Sequence, residues 1–212
     1  MNKSDAVWLW EQFQKSTNLG PKSANTFSML VALYEEKPRA YHTMDHVLWG
    51  IRRVHEICDA EQAVWDKDNI IAAMFFHDSC MNFNGFSFLD EEASASLAVE
   101  CEMPAGVVSM IMDTTHTHRP LSQSSRILLD ADLSILGSDR LDFRSYEKLI
   151  RQEWAHVPVE DFRKARTKVL QRFLDMPQIF HTEYGRKMWE TRARENLLWS
   201  IETTNDHYDI LE

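Results

Sequence analysis

The chain has 212 residues, 44% of them hydrophobic, enough to bury one core as a single domain over residues 1–212. Its 23 Lys and Arg against 33 Asp and Glu leave a net charge of −10, which argues against non-specific duplex nucleic acid as a partner and favours a small ligand. Six Gly and six Pro are few for a loop-rich or all-β protein, and three cysteines without C-x-x-C spacing give neither a disulfide framework nor a zinc knuckle.

The segment Met1 to Glu11 reads as a capped amphipathic helix and not as a charged leader ahead of a long apolar core. A cytoplasmic protein is therefore expected, with Cys58, Cys80 and Cys101 reduced. Helical periodicity continues near Asp5 to Lys15, Ser23 to Glu36, Met44 to Cys58, Asp68 to Asp78 and Phe88 to Glu100. It resumes near Pro104 to Thr115, Ser124 to Leu136, Asp139 to Trp154, Val159 to Leu174 and Tyr184 to Ile201. Turn signals such as Gly20-Pro21, Lys37-Pro38, Met103-Pro104 and Gly137-Ser138 separate them, and no long linker or repeat interrupts the series. The expectation is an all-α single domain, with a polar, poorly ordered tail from Thr203 to Glu212.

Several polar side chains stand where this pattern demands hydrocarbon. Just before the third helix lie Arg39, suited to clamp phosphate as a planar fork, Tyr41, a hydroxyl donor, and His42; a solvated surface arginine is the bland alternative. His46 heads the stripe Val47, Leu48, Ile51, Val54 and Cys58. The run from Ile70 to Phe76 is too short to span a membrane and too evenly apolar to face water, so it reads as a central buried helix starting at Asp68. It ends in His77-Asp78, where a leucine would be expected. Adjacent helical residues diverge by about 100°, so this pair can share a cation only over the edge between them.

Further along, Glu91 shares a helical face with the small residues Ser94, Ala95 and Ala98, which would let that helix approach closely. Glu91, with Glu92 in reserve, is a candidate proton carrier; the alternative is an acidic first turn favoured by the helix dipole and capped by Ser87 and Asp90. His116 and His118 either add imidazoles to a site or simply end a helix. Asp132 has Leu128, Leu129, Ile135 and Leu136 as helical neighbours, so an unpaired carboxylate there is costly unless a cation meets it. Asp130, four residues after Arg126, reads instead as half of a surface ion pair. Arg151, Arg163 and Arg166 read as surface or structural ion pairs. The seven Trp and eleven Phe fall at helical intervals, as core and not as stacking platforms.

A His, a His-Asp pair and a distant Asp, all on helices, resemble the HD superfamily of metal-dependent phosphohydrolases. Arg39 to His46, Phe76-His77-Asp78, Asp90 to Ala95, Thr115 to His118, Leu129 to Leu133, Glu153 to Pro158 and Phe162 to Arg166 look like one of its predicted-phosphohydrolase subgroups, a likeness running from about Val7 to Ile201. The resemblance implies an HD-type helical bundle with metal ligands at His46, His77, Asp78 and Asp132. It implies hydrolysis of a small phosphorylated metabolite, nucleotides among the candidates, with Glu91, His42 or His116 managing protons and Arg39 offsetting phosphate charge. A mixed N/O ligand set suits Mn²⁺, Fe²⁺, Zn²⁺, Ni²⁺ or Co²⁺ better than Mg²⁺. Two other classes stay open: a di-iron oxygenase, which needs further ligands from His116, His42 or a glutamate, and a non-catalytic metal- or nucleotide-binding sensor. A homo-oligomer is also left open.

Overall fold

A computed structural model describes residues 1–62, 66–83, 89–116 and 119–203. Those residues contain ten α-helices and no strand: α1 Lys3–Thr17, α2 Ser23–Tyr34, α3 Met44–Ala60, α4 Lys67–Phe76, α5 Leu89–Glu100, α6 Ala105–Asp113, α7 Gln123–Leu133, α8 Arg140–Glu153, α9 Val159–Asp175 and α10 Glu183–Glu202. Single 3₁₀ turns lie at Gly20–Lys22 and Ser134–Gly137. The all-α expectation holds for these residues. The expected cap at Ser87, the helix start at Phe88, His118 and most of the polar tail lie outside the described residues. No described helix is long and apolar enough to cross a membrane.

Helix starts follow capping chemistry. The Asn2 side chain accepts the Asp5 N–H, Ser122 that of Ser125, Asp139 those of Leu141 and Asp142, and Thr182 that of Gly185. Helix α4 begins one residue earlier than expected, at Lys67, and Asp66 at its N-cap makes no capping bond. Asp66 instead accepts from Asn69 Nδ2 and from the Ser124 hydroxyl, tying the start of α4 to α7.

The apolar run of α4 sits at the centre, as its composition requires. Every residue from Ile70 to Phe76 is buried, and the helix packs against α1, α3, α6 and α7. Phe75 meets the edge of Phe13 at 5.1 Å between centroids and receives the Tyr34 hydroxyl on its carbonyl at 3.1 Å. The packing of α3 on α4 turns on Gly50, because a Cβ there would lie 2.5 Å from Met74 Sδ. Gly50 is one turn beyond His46, and Met74 is one turn before His77 and Asp78. The Met74 side chain lies on the bare Gly50 backbone, so α3 and α4 pack at the turns next to their polar ends.

Two helices end differently from their periodicity. Helix α4 stops at Phe76, so His77 is its C-cap and Asp78 lies in the following turn; helix α7 tightens into the Ser134–Gly137 3₁₀ turn instead of running on to Leu136. Both changes fall beside candidate ligands. Asp130 corrects the sequence reading outright. It is fully buried and pairs with no Arg126; Oδ1 accepts the His181 N–H at 2.7 Å, and Oδ2 accepts the Thr182 N–H and hydroxyl at 2.8 and 2.7 Å. Arg126 turns away to the carbonyls of Pro120 and Leu121. Burial pushes the Asp130 carboxyl up to about 7, against the pull of its three donors. Arg166 forms a structural pair with Glu147, which also accepts from Ser200, and Arg163 pairs with Glu160 at 2.7 Å.

Candidate metal centre

Three helices bring the site together. Thr43 caps α3 by accepting the Asp45 N–H, which sets His46 in the first turn with its ring buried. His77 and Asp78 come from the end of α4, and Asp132 from the last turn of α7, all on the side where α3, α4 and α7 touch.

His46 Nε2 lies 3.1 Å from His77 Nε2, 3.4 Å from Asp78 Oδ2 and 3.2 Å from Asp132 Oδ1. His77 Nε2 is 3.0 Å from Asp78 Oδ2 and 3.5 Å from Asp132 Oδ1. One ligand-type atom from each of the four lies within 4.8 Å of all the others. Ligands at about 2.1 Å from a tetrahedral ion are separated from one another by roughly 3.4 Å, so the observed spacings are those of a coordination shell. The ring orientations agree. His77 Nδ1 is 3.0 Å from the Met74 carbonyl, which makes that nitrogen an N–H and turns Nε2 toward the cluster. His46 Nδ1, by contrast, is buried and makes no hydrogen bond.

Burial opposes charge on all four groups, yet the cluster overcomes it. His77 is held well above the usual imidazole range by the Asp78 and Asp132 carboxylates, and His46 is raised by the same two. Asp78 and Asp132 are in turn held well below the usual carboxylate range by the imidazoles. Two carboxylates and two convergent imidazoles, buried together, form a group that could hold a metal ion.

The remaining candidates divide. Glu91 is half-buried, with Oε2 buried and unbonded; burial raises its carboxyl, the Asp78 and Asp90 charges raise it further, and its backbone hydrogen bond and His116 lower it. The small residues on its face, Ser94, Ala95 and Ala98, are buried as expected. Glu92 is exposed. His116, in a left-handed conformation with φ 52°, has its Nε2 3.3 Å from Asp132 Oδ2, the oxygen that His46 and His77 leave free. Asp132 thus touches the cluster with one oxygen and His116 with the other.

Arg39, the expected phosphate clamp, also binds main-chain carbonyls. Nη1 donates to the carbonyls of His42 and Asp78 at 3.1 and 2.9 Å, and Nη2 to that of Ser79 at 3.0 Å. These three bonds hold the turn that carries Asp78 against the segment before α3, while Nε is buried without a partner. The Tyr41 ring packs 4.9 Å from both His42 and His46. Burial raises its hydroxyl well above the usual range, which keeps it protonated.

His42 has its Nε2 4.0 Å from Asp78 Oδ2, and its Nδ1 is 2.8 Å from Oε2 of Glu153. Glu153, fully buried at the end of α8, also accepts the N–H groups of Ala40, Tyr41 and His42 on Oε1 at 2.7–2.9 Å. Burial opposes its charge, but His42 and these N–H donors lower its carboxyl below the usual value. Sequence reasoning gave Glu153 no role. The signal was present: Phe143, Glu147, Ile150 and Glu153 share the buried face of α8, so Glu153 breaks an apolar stripe as Asp132 does.

Searches for known proteins alike to this one returned nothing: no family model, no curated protein and no solved structure matches the chain.

Proposed function

We propose that the protein is a metal-dependent phosphohydrolase acting on a small phosphorylated metabolite. One observation carries the reading: four ligand-type atoms from α3, the end of α4 and α7 converge within 4.8 Å of one another. The likeness of the motif order to HD-type phosphohydrolases supports it. His46, His77, Asp78 and Asp132 would hold a divalent ion of the Mn²⁺, Fe²⁺, Zn²⁺, Ni²⁺ or Co²⁺ type. Such an ion lowers the pKa of a bound water and polarises a phosphoryl oxygen.

The chain's own groups supply the proton chemistry. Glu91 takes the proton of the attacking water on Oε2, its basicity raised by burial and by the nearby Asp78 charge. His42 presents Nε2 to the leaving-group oxygen and delivers a proton there, while Glu153 holds Nδ1 and so fixes the ring's direction. Arg39 keeps the Asp78 turn and the His42 backbone in register.

The test is turnover of a panel of phosphate monoesters and anhydrides by the purified chain reconstituted with each of these cations. The reading predicts hydrolysis that depends on the metal and falls about a hundredfold or more in Glu91→Gln with metal content kept. Saturable binding of a panel member without turnover under every cation would favour a sensor instead. A di-iron oxygenase draws on one specific observation, the His116 ring on the second oxygen of Asp132, and predicts two irons per chain with oxygen uptake.

A further inference from the structure

Behind His116 a cavity of about 260 Å³ opens between the end of α6, α7 and the segment leading into α10. His116 belongs both to its wall and to the metal cluster, through Asp132 Oδ2, so the two spaces share a side chain. Leu129, Leu133, Met176 and Ile179 make one wall apolar, whereas His116, Arg119 and His181 supply its polar part. Among the described residues no carboxylate lines it, although the chain as a whole carries a net charge of −10.

Burial first, and then the charges of His116, Arg119, Arg126 and Arg186, push the His181 imidazole down to about 4. Arg186 also donates to the His181 carbonyl at 2.8 Å, which anchors the segment against α10. A recess with an apolar wall and the Arg119 guanidinium at its rim suits an anion bearing hydrocarbon. Its size selects further. A cavity of about 150 Å³ already admits benzene. The present one therefore holds a single ring or a compact branched chain together with a phosphoryl group, and is cramped for a nucleoside triphosphate.

We propose that this cavity is the specificity pocket of the enzyme and selects phosphate monoesters whose organic part is compact and apolar or planar. The phosphoryl group faces His116 and the cluster, Arg119 meets its charge at the rim, and the organic part lies on Leu129, Leu133 and Met176. The proposal rests on the phosphohydrolase reading for its biological sense, but the recess can be tested without turnover.

The probes are methylphosphonate and phenylphosphonate, which share a charged head, resist hydrolysis and differ in the apolar group. Their binding to the full-length protein is followed by calorimetry, with metal content measured in the same samples. Phenylphosphonate is expected to bind about tenfold more tightly than methylphosphonate, the gain from burying one ring. Arg119→Gln should weaken both probes by about fivefold, as for a solvent-facing charge contact. Met176→Gln should remove most of the preference for the ring and leave methylphosphonate binding unchanged. Equal affinity for the two probes in the wild type, or unaltered affinities in both variants, would overturn the proposal. Metal loading with indifferent probes would mean that the pocket reading fails alone; discriminating probes on a chain that takes up no metal would mean that the hydrolase reading fails and the recess stands.

Discussion

At the scale of single residues, the arrangement around His42 makes the sharpest demand. Its Nδ1 rests on a buried carboxylate that also gathers three main-chain N–H groups, so Glu153 sets both the ring's direction and the path of the backbone beneath it. Replacing Glu153 by Gln keeps the volume and one oxygen but offers an amide N–H where an acceptor is needed. We expect a fall in kcat of about 10–100-fold with KM little changed, since His42 acts on the leaving group. Bound metal should stay within about twofold of wild type, because Glu153 is not a ligand. Rescue separates this from mere loosening of the fold: Glu153→Asp, which keeps a carboxylate acceptor for His42 Nδ1, should recover part of the lost kcat.

The same scale explains what the sequence made legible. Asp132, His77 and His46 each interrupt an apolar stripe, and a polar group that hydrocarbon would reject announces a partner. Asp130 was misread because Arg126 stands one helical turn before it, an arrangement that fits a surface pair, whereas its true partners are main-chain N–H groups some fifty residues away. Arg39 was legible as a purposeful residue, but its carbonyl contacts were not. A guanidinium that binds carbonyl oxygens leaves no trace in the sequence, because every residue has a carbonyl.

At the scale of elements, Asp130 links α7 to the start of α10 and thereby fixes one wall of the cavity beside His116. Asp130→Asn sets an amide nitrogen against N–H donors, and we expect a loss of about 1–3 kcal/mol in urea unfolding. The pH dependence has a definite sign. An unfolded aspartate titrates near 3.9, and burial lifts Asp130 to about 7 in the native state, so the folded chain binds the extra proton. Its contribution to stability is complete below about pH 4 and is lost as pH rises through about 7. The difference in unfolding free energy between wild type and Asp130→Asn should therefore shrink from pH 5 to pH 8. Helix ends were the least legible feature at this scale. Periodicity carries α4 through Asp78 and α7 through Leu136, since a 3₁₀ turn or a capping turn keeps the apolar spacing while changing the hydrogen bonds.

At the scale of the whole molecule, the fold works as a clamp. Gly50 lets α3 lie against α4 at Met74, α7 packs on both, and the polar ends of three helices are forced into one small volume. The periodicity of the chain announced ten helices, but which of them touch depends on such close approaches, and a lone glycine inside a helix does not name its partner.

That convergence is the central claim, and elemental analysis of the purified chain tests it most directly. After reconstitution and dialysis the wild type should retain about one divalent transition ion per chain. His77→Ala and Asp132→Ala should retain almost none while their far-ultraviolet circular dichroism stays helical. Full metal occupancy in both variants would contradict the account.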